Sequence, residues 1–197
     1  MQLKLYVQME VRDAQGRLVR RYRRHLGRSL VLQYLQHFKT QLSHVAVATN
    51  KDTGGTNRTI DTPPNVGTGY LLSTVDVGGE ASRGIVVGSG SNAEAMTDYA
   101  LQTQIAHGTG SGQLSHGAET FGPTSESATQ ASFTFQRVFT NNSGASINVR
   151  ETAIYGETDL SGAGTAYFCI VREVESGNVA VGALQTLTVT FTFTITT

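Results

Sequence analysis

LQTLTVTFTFTIT, residues 184–196, is the most regular stretch of the chain and decides its fold class. Between Leu187 and Ile195 every second residue is apolar, and a threonine stands at each position between them. Because successive side chains of a strand point to opposite faces, this alternation predicts a β-strand with one core face and one face covered by threonine.

The start of the chain shows the same alternation. Residues 1–11 read MQLKLYVQMEV, and the odd-numbered positions from Leu3 to Val11 are all apolar. This pattern predicts a second half-buried strand. The turn-forming residues 13–16, DAQG, then predict a hairpin whose return strand runs through Leu18 and Tyr22.

Much of the remaining chain is typical of short strands separated by clusters of Gly, Ser and Asn. The candidates are residues 70–77, 84–88, 112–117, 130–140, 145–155 and 165–174. The sequence NNSG at 141–144 predicts a hairpin turn between two of them. Because these strands do not alternate with helices, we expect an all-β fold, an antiparallel β-sandwich of jelly-roll or immunoglobulin-like type.

One segment changes to a helical period and predicts a single N-terminal helix over residues 29–43. Val31, Leu35, Phe38 and Leu42 recur at helical spacing there, and Ser29 is a suitable N-cap. We expect this stripe to face the core. Residues 50–69 are polar and rich in turn formers, and loops of this length are often functional or bind partners.

These elements predict one β-sandwich domain over residues 1–197. Within it, 1–45 form a strand hairpin plus helix, 50–69 a long polar loop and 70–197 the main β-sandwich. The chain has one cysteine, Cys169, which excludes an intrachain disulfide and suggests a buried, inert thiol. No run of 18 apolar residues or signal-peptide core is present, so we expect no membrane partner and assembly inside a cell.

Residues 88–93, GSGSNA, match the G-x-G-x-x-A fingerprint of dinucleotide-binding enzymes. That fingerprint requires a long crossover helix, whereas the glycine-rich residues 107–112 would break any helix after Thr97. We therefore expect no nucleotide cofactor. The predicted role is a turn that ends a strand, followed by a short segment in which Asp98 caps and Leu101 and Ile105 pack together.

Other catalytic or metal-binding patterns are also missing from the sequence. The histidines His25, His37, His44, His107 and His116 lack metal-ligand spacing, and no G-x-S-x-G motif occurs. A carboxylate pair formed only in space would draw on Glu151, Glu157, Asp159, Glu173 and Glu175. Each is more simply a solvated charge at a strand end, so we expect no enzyme, no cofactor and no metal.

Charge is unevenly distributed, although the formal net charge is +0. Residues 12–28, the arginine block, contain seven arginines and one aspartate, which leaves +6 there and −6 elsewhere. The block allows phosphate contact with nucleic acid, head-to-tail association with an acidic face of another copy, or a solvated strand face. We favour association, and the candidate interface residues are Arg17, Arg20, Arg21, Arg23, Arg24 and Arg28.

Residues 84–156 resemble a segment of structural proteins of tailed bacteriophages. The shared features are Gly88-x-Gly90, the D-x-A-L run from Asp98 to Leu101, Ile105, the strand SFTFQRVFTNNSGASINVRE and the closing AIYG at 153–156. The resemblance implies a non-catalytic virion protein, a capsid decoration or cement protein or a tail or baseplate component, assembled in the host cytoplasm.

Such a protein has other copies of itself and other virion proteins as partners, and nucleic acid is not expected among them. A carbohydrate- or surface-binding β-sandwich module is the alternative function. That alternative predicts exposed aromatic side chains on loops, and the chain has no tryptophan.

Overall fold

The computed structural model describes residues 2–27, 30–43, 49–60, 73–74, 78–160 and 164–197, without the side chains of residues 23–25 and 41–43. Its elements are β1 (Gln2–Arg12), β2 (Leu18–Gly27), α1 (Leu32–Ser43), β3 (Asn50–Lys51), β4 (Asn57–Arg58), β5 (Gly84–Gly88), β6 (Ser115–Phe121), β7 (Ser125–Glu126), β8 (Gln130–Thr140), β9 (Ile147–Asp159), β10 (Thr165–Val181) and β11 (Thr186–Thr196).

The strands form two main antiparallel sheets, which confirms the predicted all-β, sandwich-like fold. The large sheet has the strand order β2-β1-β11-β8-β6, and the short strand β7 also pairs with β8. The small sheet has the order β10-β9-β5, and β3 and β4 form a separate hairpin. Strand β11, the regular stretch at the C-terminus, lies between β1 and β8 in the large sheet.

Alternation in β1 and β11 builds the inner face of the large sheet. Leu5, Val7 and Met9 on β1 are buried, as are Leu187, Val189 and Phe191 on β11. These side chains share one hydrophobic cluster with residues of the small sheet such as Val149 and Phe168. Burial between the two sheets is therefore the main source of stability for this fold.

Residues 141–144 do not form the predicted hairpin. They carry the chain from β8 in the large sheet to β9 in the small sheet, and these two strands do not pair. The buried Asn141 fixes this crossing because its amide nitrogen donates to the carbonyl oxygens of Ala145 and Val181, both at 2.7 Å. Its backbone N–H donates to the carbonyl oxygen of Gln185 at the end of the β10–β11 turn.

Other predicted strands have different bounds in the structure. The candidate 112–117 corresponds to β6, which begins at Ser115, and the candidate 165–174 extends to Val181 as β10. The candidate 70–77 lies largely outside the described residues. In the polar stretch 50–69, residues 50–58 form the β3–β4 hairpin, closed by Asp52, whose carboxylate accepts from Thr56 N–H and from Arg58.

Helix α1 is present, but the predicted apolar stripe is buried at Val31, just before the helix, and not at Leu35 and Phe38. Leu35 and Phe38 are 57% and 47% exposed, whereas Gln33, His37 and Thr40 are buried. Leu42 and the predicted N-cap Ser29 lie outside the described side chains and residues.

The attachment of α1 sets its rotation. Leu30 bridges to Val171, and the N–H of Val31 donates to the Ile170 carbonyl of β10. These bonds fix the orientation of the first turn of α1, so that Gln33, His37 and Thr40 are buried and Leu35 and Phe38 face outward.

Candidate assembly surface

Residues 18–27 of the arginine block form β2, which is an edge strand of the large sheet. Arg17 precedes the strand, Arg20 and Arg21 lie within it, and all three are exposed. Arg23 and Arg24 also belong to β2, but their side chains lie outside the description, and Arg28 lies outside the described residues. The structure thus places five of the six candidate interface residues along one edge or beside it.

Local acidic partners neutralise part of this charge. The Arg17 guanidinium lies 2.7 Å from Asp13, and Glu10 of β1 lies 2.7 Å from Arg21 and 2.9 Å from Arg12. Burial acts to raise the pKa of Glu10, but hydrogen bonds from the two arginines outweigh it and hold that pKa below its ordinary value.

Arg20 has a different environment from its neighbours. Its guanidinium carbon stacks 5.0 Å above the Tyr22 ring, and Tyr22 in turn packs against the core. A cation over an aromatic face keeps its full positive charge. Arg20 is therefore exposed, held in place by Tyr22 and fully charged, as contact with an acidic partner requires.

Large apolar side chains accompany these arginines on the same edge strand. Leu18, Val19 and Leu26 of β2 are 43%, 53% and 48% exposed. An edge strand also offers backbone groups to a further strand, and positive charge along it limits indiscriminate pairing. The β2 edge thus combines exposed apolar side chains, positive charge and the backbone groups of a strand edge. Such a surface suits binding to a specific protein partner.

The glycine turn of residues 88–93 holds an anion, and that anion is the protein's own Glu151. One carboxylate oxygen of Glu151 accepts from the N–H groups of Gly90 and Thr103, at 3.0 and 2.8 Å. The other oxygen accepts from the Gln102 N–H at 3.0 Å. A Cβ at Gly90 would lie 2.4 Å from Glu151, so the close approach requires glycine there.

Arg172 completes this buried network. Its guanidinium reaches Glu151 at 2.9 Å and Asp98 at 2.7 Å, and it donates to the backbone carbonyl of Asn92. Glu151 is fully buried and Arg172 is 2% exposed. The network ties the irregular residues 89–106 to strands β9 and β10 of the small sheet.

Two sequence expectations about this segment were wrong. Asp98 does not cap the segment that follows it, because residues 97–106 form no helix and its carboxylate accepts from the N–H of the earlier Ala95 while it pairs with Arg172. Glu151 and Glu173 are not solvated strand-end charges but buried residues. The burial of Glu151 depends on Arg172 and the loop N–H groups coming together in space, which no local sequence signal reveals.

A second buried network surrounds Arg137 of β8, on the inner face of the large sheet. Its guanidinium donates to the carbonyl oxygens of Gly117, Ile85 and Glu80, and Glu119 lies 3.8 Å away. Arg137 is fully buried, so these acceptors satisfy a charge within the core.

His116 of β6 lies beside this network and is buried. It is 3% exposed and its ring contacts His107 at a centroid distance of 5.5 Å, which brings together the two histidines flanking the glycine-rich turn. Its backbone N–H donates to the His107 ring. The pair closes the turn before β6.

Burial also determines the protonation state of two further titratable side chains, Cys169 and Tyr155. Cys169 is fully buried as expected, and burial raises the pKa of its thiol far above the ordinary value. Burial likewise raises the pKa of Tyr155, whose hydroxyl accepts from the Leu101 N–H at 2.6 Å. Both side chains are held in their neutral forms.

Within the described part of the chain, no group of three or more His, Cys, Asp and Glu side chains is placed to bind a metal ion. None of the described helices has the length and apolar character needed to span a membrane. Comparison of the chain with known protein families, with curated proteins and with solved structures finds no match.

Proposed function

We propose that this chain is a non-catalytic structural protein of a tailed-phage virion. It assembles in many copies on the capsid, as a decoration or cement protein, or in the tail or baseplate. The phage context is supported by the resemblance of residues 84–156. The observation that carries the assembly role is the edge strand β2, where exposed Leu18, Val19 and Leu26 accompany Arg20 and Arg21.

In this proposal, the β2 edge meets an acidic surface of a neighbouring subunit. Opposite charges steer the two surfaces and reject wrong partners, and the apolar side chains add buried area. An arginine edge would repel its own symmetric copy, so this contact is head-to-tail and suits a repeated array.

Incorporation into particles tests the proposal. We expect purified protein to join phage particles, as seen by electron microscopy and by co-sedimentation, and Arg20→Glu to weaken this at least about tenfold. Lys39→Glu, at an exposed position of helix α1, makes the same change in charge and serves as the control. A strict monomer that never joins particles would contradict the proposal.

The same preparations separate the alternatives. Specific signals on a glycan array would favour the carbohydrate-binding module. Affinity for DNA that falls steeply with salt would favour nucleic-acid contact through the arginine block.

A further inference from the structure

The inner face of the large sheet continues beyond the core and remains exposed at one end. Leu3, Phe121, Phe133 and Ile195 are 44%, 50%, 36% and 45% exposed. With the half-buried Phe193, they form what we call the open-end patch. The alternation in β1 and β11 predicted buried positions for Leu3 and Ile195, and the structure corrects that expectation.

Strand register shows that the open-end patch is one continuous surface. Phe193 lies opposite the buried Leu5 on one side and opposite Phe133 on the other. Leu3 lies opposite Ile195 in the next row, and Phe121 lies opposite the buried Phe135. Directly opposed residues share a face, so all five side chains belong to the core face.

The aromatic rings of the patch are already ordered by mutual stacking. Phe133 stacks on Phe193 with ring centroids 5.0 Å apart, and Phe121 stacks on the buried Phe135 at 4.5 Å. Side chains that are fixed before binding lose little conformational entropy when a partner covers them.

Charge distinguishes this surface from the β2 edge. The patch lies in cross-strand rows formed by β1, β11, β8 and the β6–β7 edge. Among the described residues of those rows, Glu126 is the one charged residue, and it lies opposite Ala131 at the outer end. A two-fold contact places a surface against itself, which is unfavourable for an arginine-rich edge but not for an uncharged patch.

We propose that the open-end patch is a contact between two copies of this chain related by a two-fold axis. The contact extends each large sheet's inner face onto that of the partner, so that Phe133 and Phe193 become core residues of the pair. It rests on the proposed function for its role, since it supplies a second, homotypic contact to an array built through β2.

The size of the patch sets the strength of this contact. Four strands spaced ~4.8 Å apart, each contributing about 13 Å of length, give roughly 250 Å² a side, or about 500 Å² in total. Stable two-protein interfaces bury about 1,200–2,000 Å². The pair is therefore expected to form reversibly at high protein concentration and to be reinforced within an assembly.

Sedimentation velocity of the full chain over a concentration series tests the contact, and about 1 M salt separates it from the arginine contacts. Salt at that level shortens the screening length to about 3 Å and weakens exposed charge pairs but not apolar burial. We expect concentration-dependent dimerisation that persists in high salt. Loss of all association in high salt would overturn the homotypic contact and leave the arginine-based proposal intact.

Two substitutions and a control locate the surface. Ile195→Lys is expected to raise the dimer dissociation constant at least about tenfold. Met96→Lys, at a residue that is 64% exposed and lies outside the large sheet, is expected to leave it unchanged. Leu3→Lys repeats the test if Ile195→Lys fails to fold, as judged by circular dichroism.

Each remaining outcome decides the question. A wild-type protein that stays monomeric at all concentrations overturns the proposal, and so does unchanged dimerisation of folded Ile195→Lys or Leu3→Lys. Binding of the monomer to phosphatidylcholine vesicles in place of dimerisation also overturns it. A dimer that forms as expected but never joins phage particles supports this contact and contradicts the proposed function.

Discussion

Residues 89–114 form no helix and no strand, yet buried charged side chains tie part of this segment to the small sheet. Helix α1 is regular, but its large apolar side chains Leu35 and Phe38 are exposed. In the first region, Glu151 accepts from three backbone N–H groups and pairs with Arg172. In the second, the buried Gln33 Oε1 and His37 Nε2 have no hydrogen-bond partner among the described residues. Regular secondary structure therefore does not show whether the buried polar groups of a segment have hydrogen-bond partners.

The two regions also differ in what a mutation should do. Removing a polar group from the first region leaves other buried polar groups without partners, which is costly. Removing a polar side chain from the buried face of α1 takes away an atom, such as His37 Nε2, that has no partner among the described residues. The comparison predicts effects of opposite sign on the free energy of unfolding.

The largest effect is expected for Glu151→Gln. The neutral amide cannot compensate the buried Arg172, and its NH₂ group opposes one of the loop N–H donors. We expect a loss of about 3–5 kcal/mol in the free energy of unfolding, measured by urea denaturation. Glu126→Gln, at an exposed position, should change it by less than about 0.5 kcal/mol and is the matched control. Equal, small effects would show that the network does not hold the segment.

A smaller loss is expected for Gly90→Ala. The new methyl group would lie 2.4 Å from a Glu151 oxygen and 2.5 Å from the Gln102 Cβ, so the turn must shift. Overpacking of this kind costs about 1–3 kcal/mol in urea denaturation. Gly177→Ala, where no atom lies within 4 Å, should be neutral or slightly stabilising. An unchanged free energy of unfolding for Gly90→Ala would show that the turn around Glu151 accommodates a side chain.

The smallest effect, and the one of opposite sign, is expected for His37→Leu in α1. The imidazole is buried, its Nδ1 donates to the Gln33 carbonyl at 2.8 Å, and its Nε2 has no partner in the described part of the chain. An apolar side chain of similar size removes that unpartnered atom and should stabilise the fold by about 1 kcal/mol. Destabilisation by a similar amount would show that Nε2 is satisfied in solution.

The pH dependence of the same variant provides a second measurement. Burial lowers the pKa of His37 in the folded state, only partly offset by its hydrogen bond to Gln33, so the unfolded chain binds the proton more readily. The free energy of unfolding should therefore fall as pH drops below about 6.5, the ordinary histidine value. His37→Leu should remove this part of the slope, and an unchanged slope between the two proteins would contradict the assignment.

Several features of this molecule follow from local pattern. The alternation of β1 and β11 predicted both strands and their buried faces from Leu5 to Val11 and from Leu187 to Phe191. The absence of a crossover helix after Gly88 excluded a dinucleotide fold, and the structure fills the glycine turn with Glu151 instead. The cysteine in an apolar run was predicted to be buried, and it is.

Other features depend on neighbours that are distant in sequence. The rotation of α1 is set by hydrogen bonds to β10, so its apolar stripe could not reveal which face is buried. The open-end patch arises because strands β1, β11, β8 and β6 extend past the part of their inner face that is buried, which alternation within one strand cannot show. The same holds for the crossing at Asn141, where a turn-forming sequence joins two sheets.

The sequence alone determined that this chain forms β-strands with one apolar face, because side-chain alternation is a property of the backbone itself. It also determined where positive charge is concentrated, since residues 12–28 are adjacent along the chain. Only the tertiary structure decided which apolar positions are covered and which carboxylates are buried. Those outcomes depend on contacts such as that between Glu151 and Arg172, which exist only once the strands have packed together.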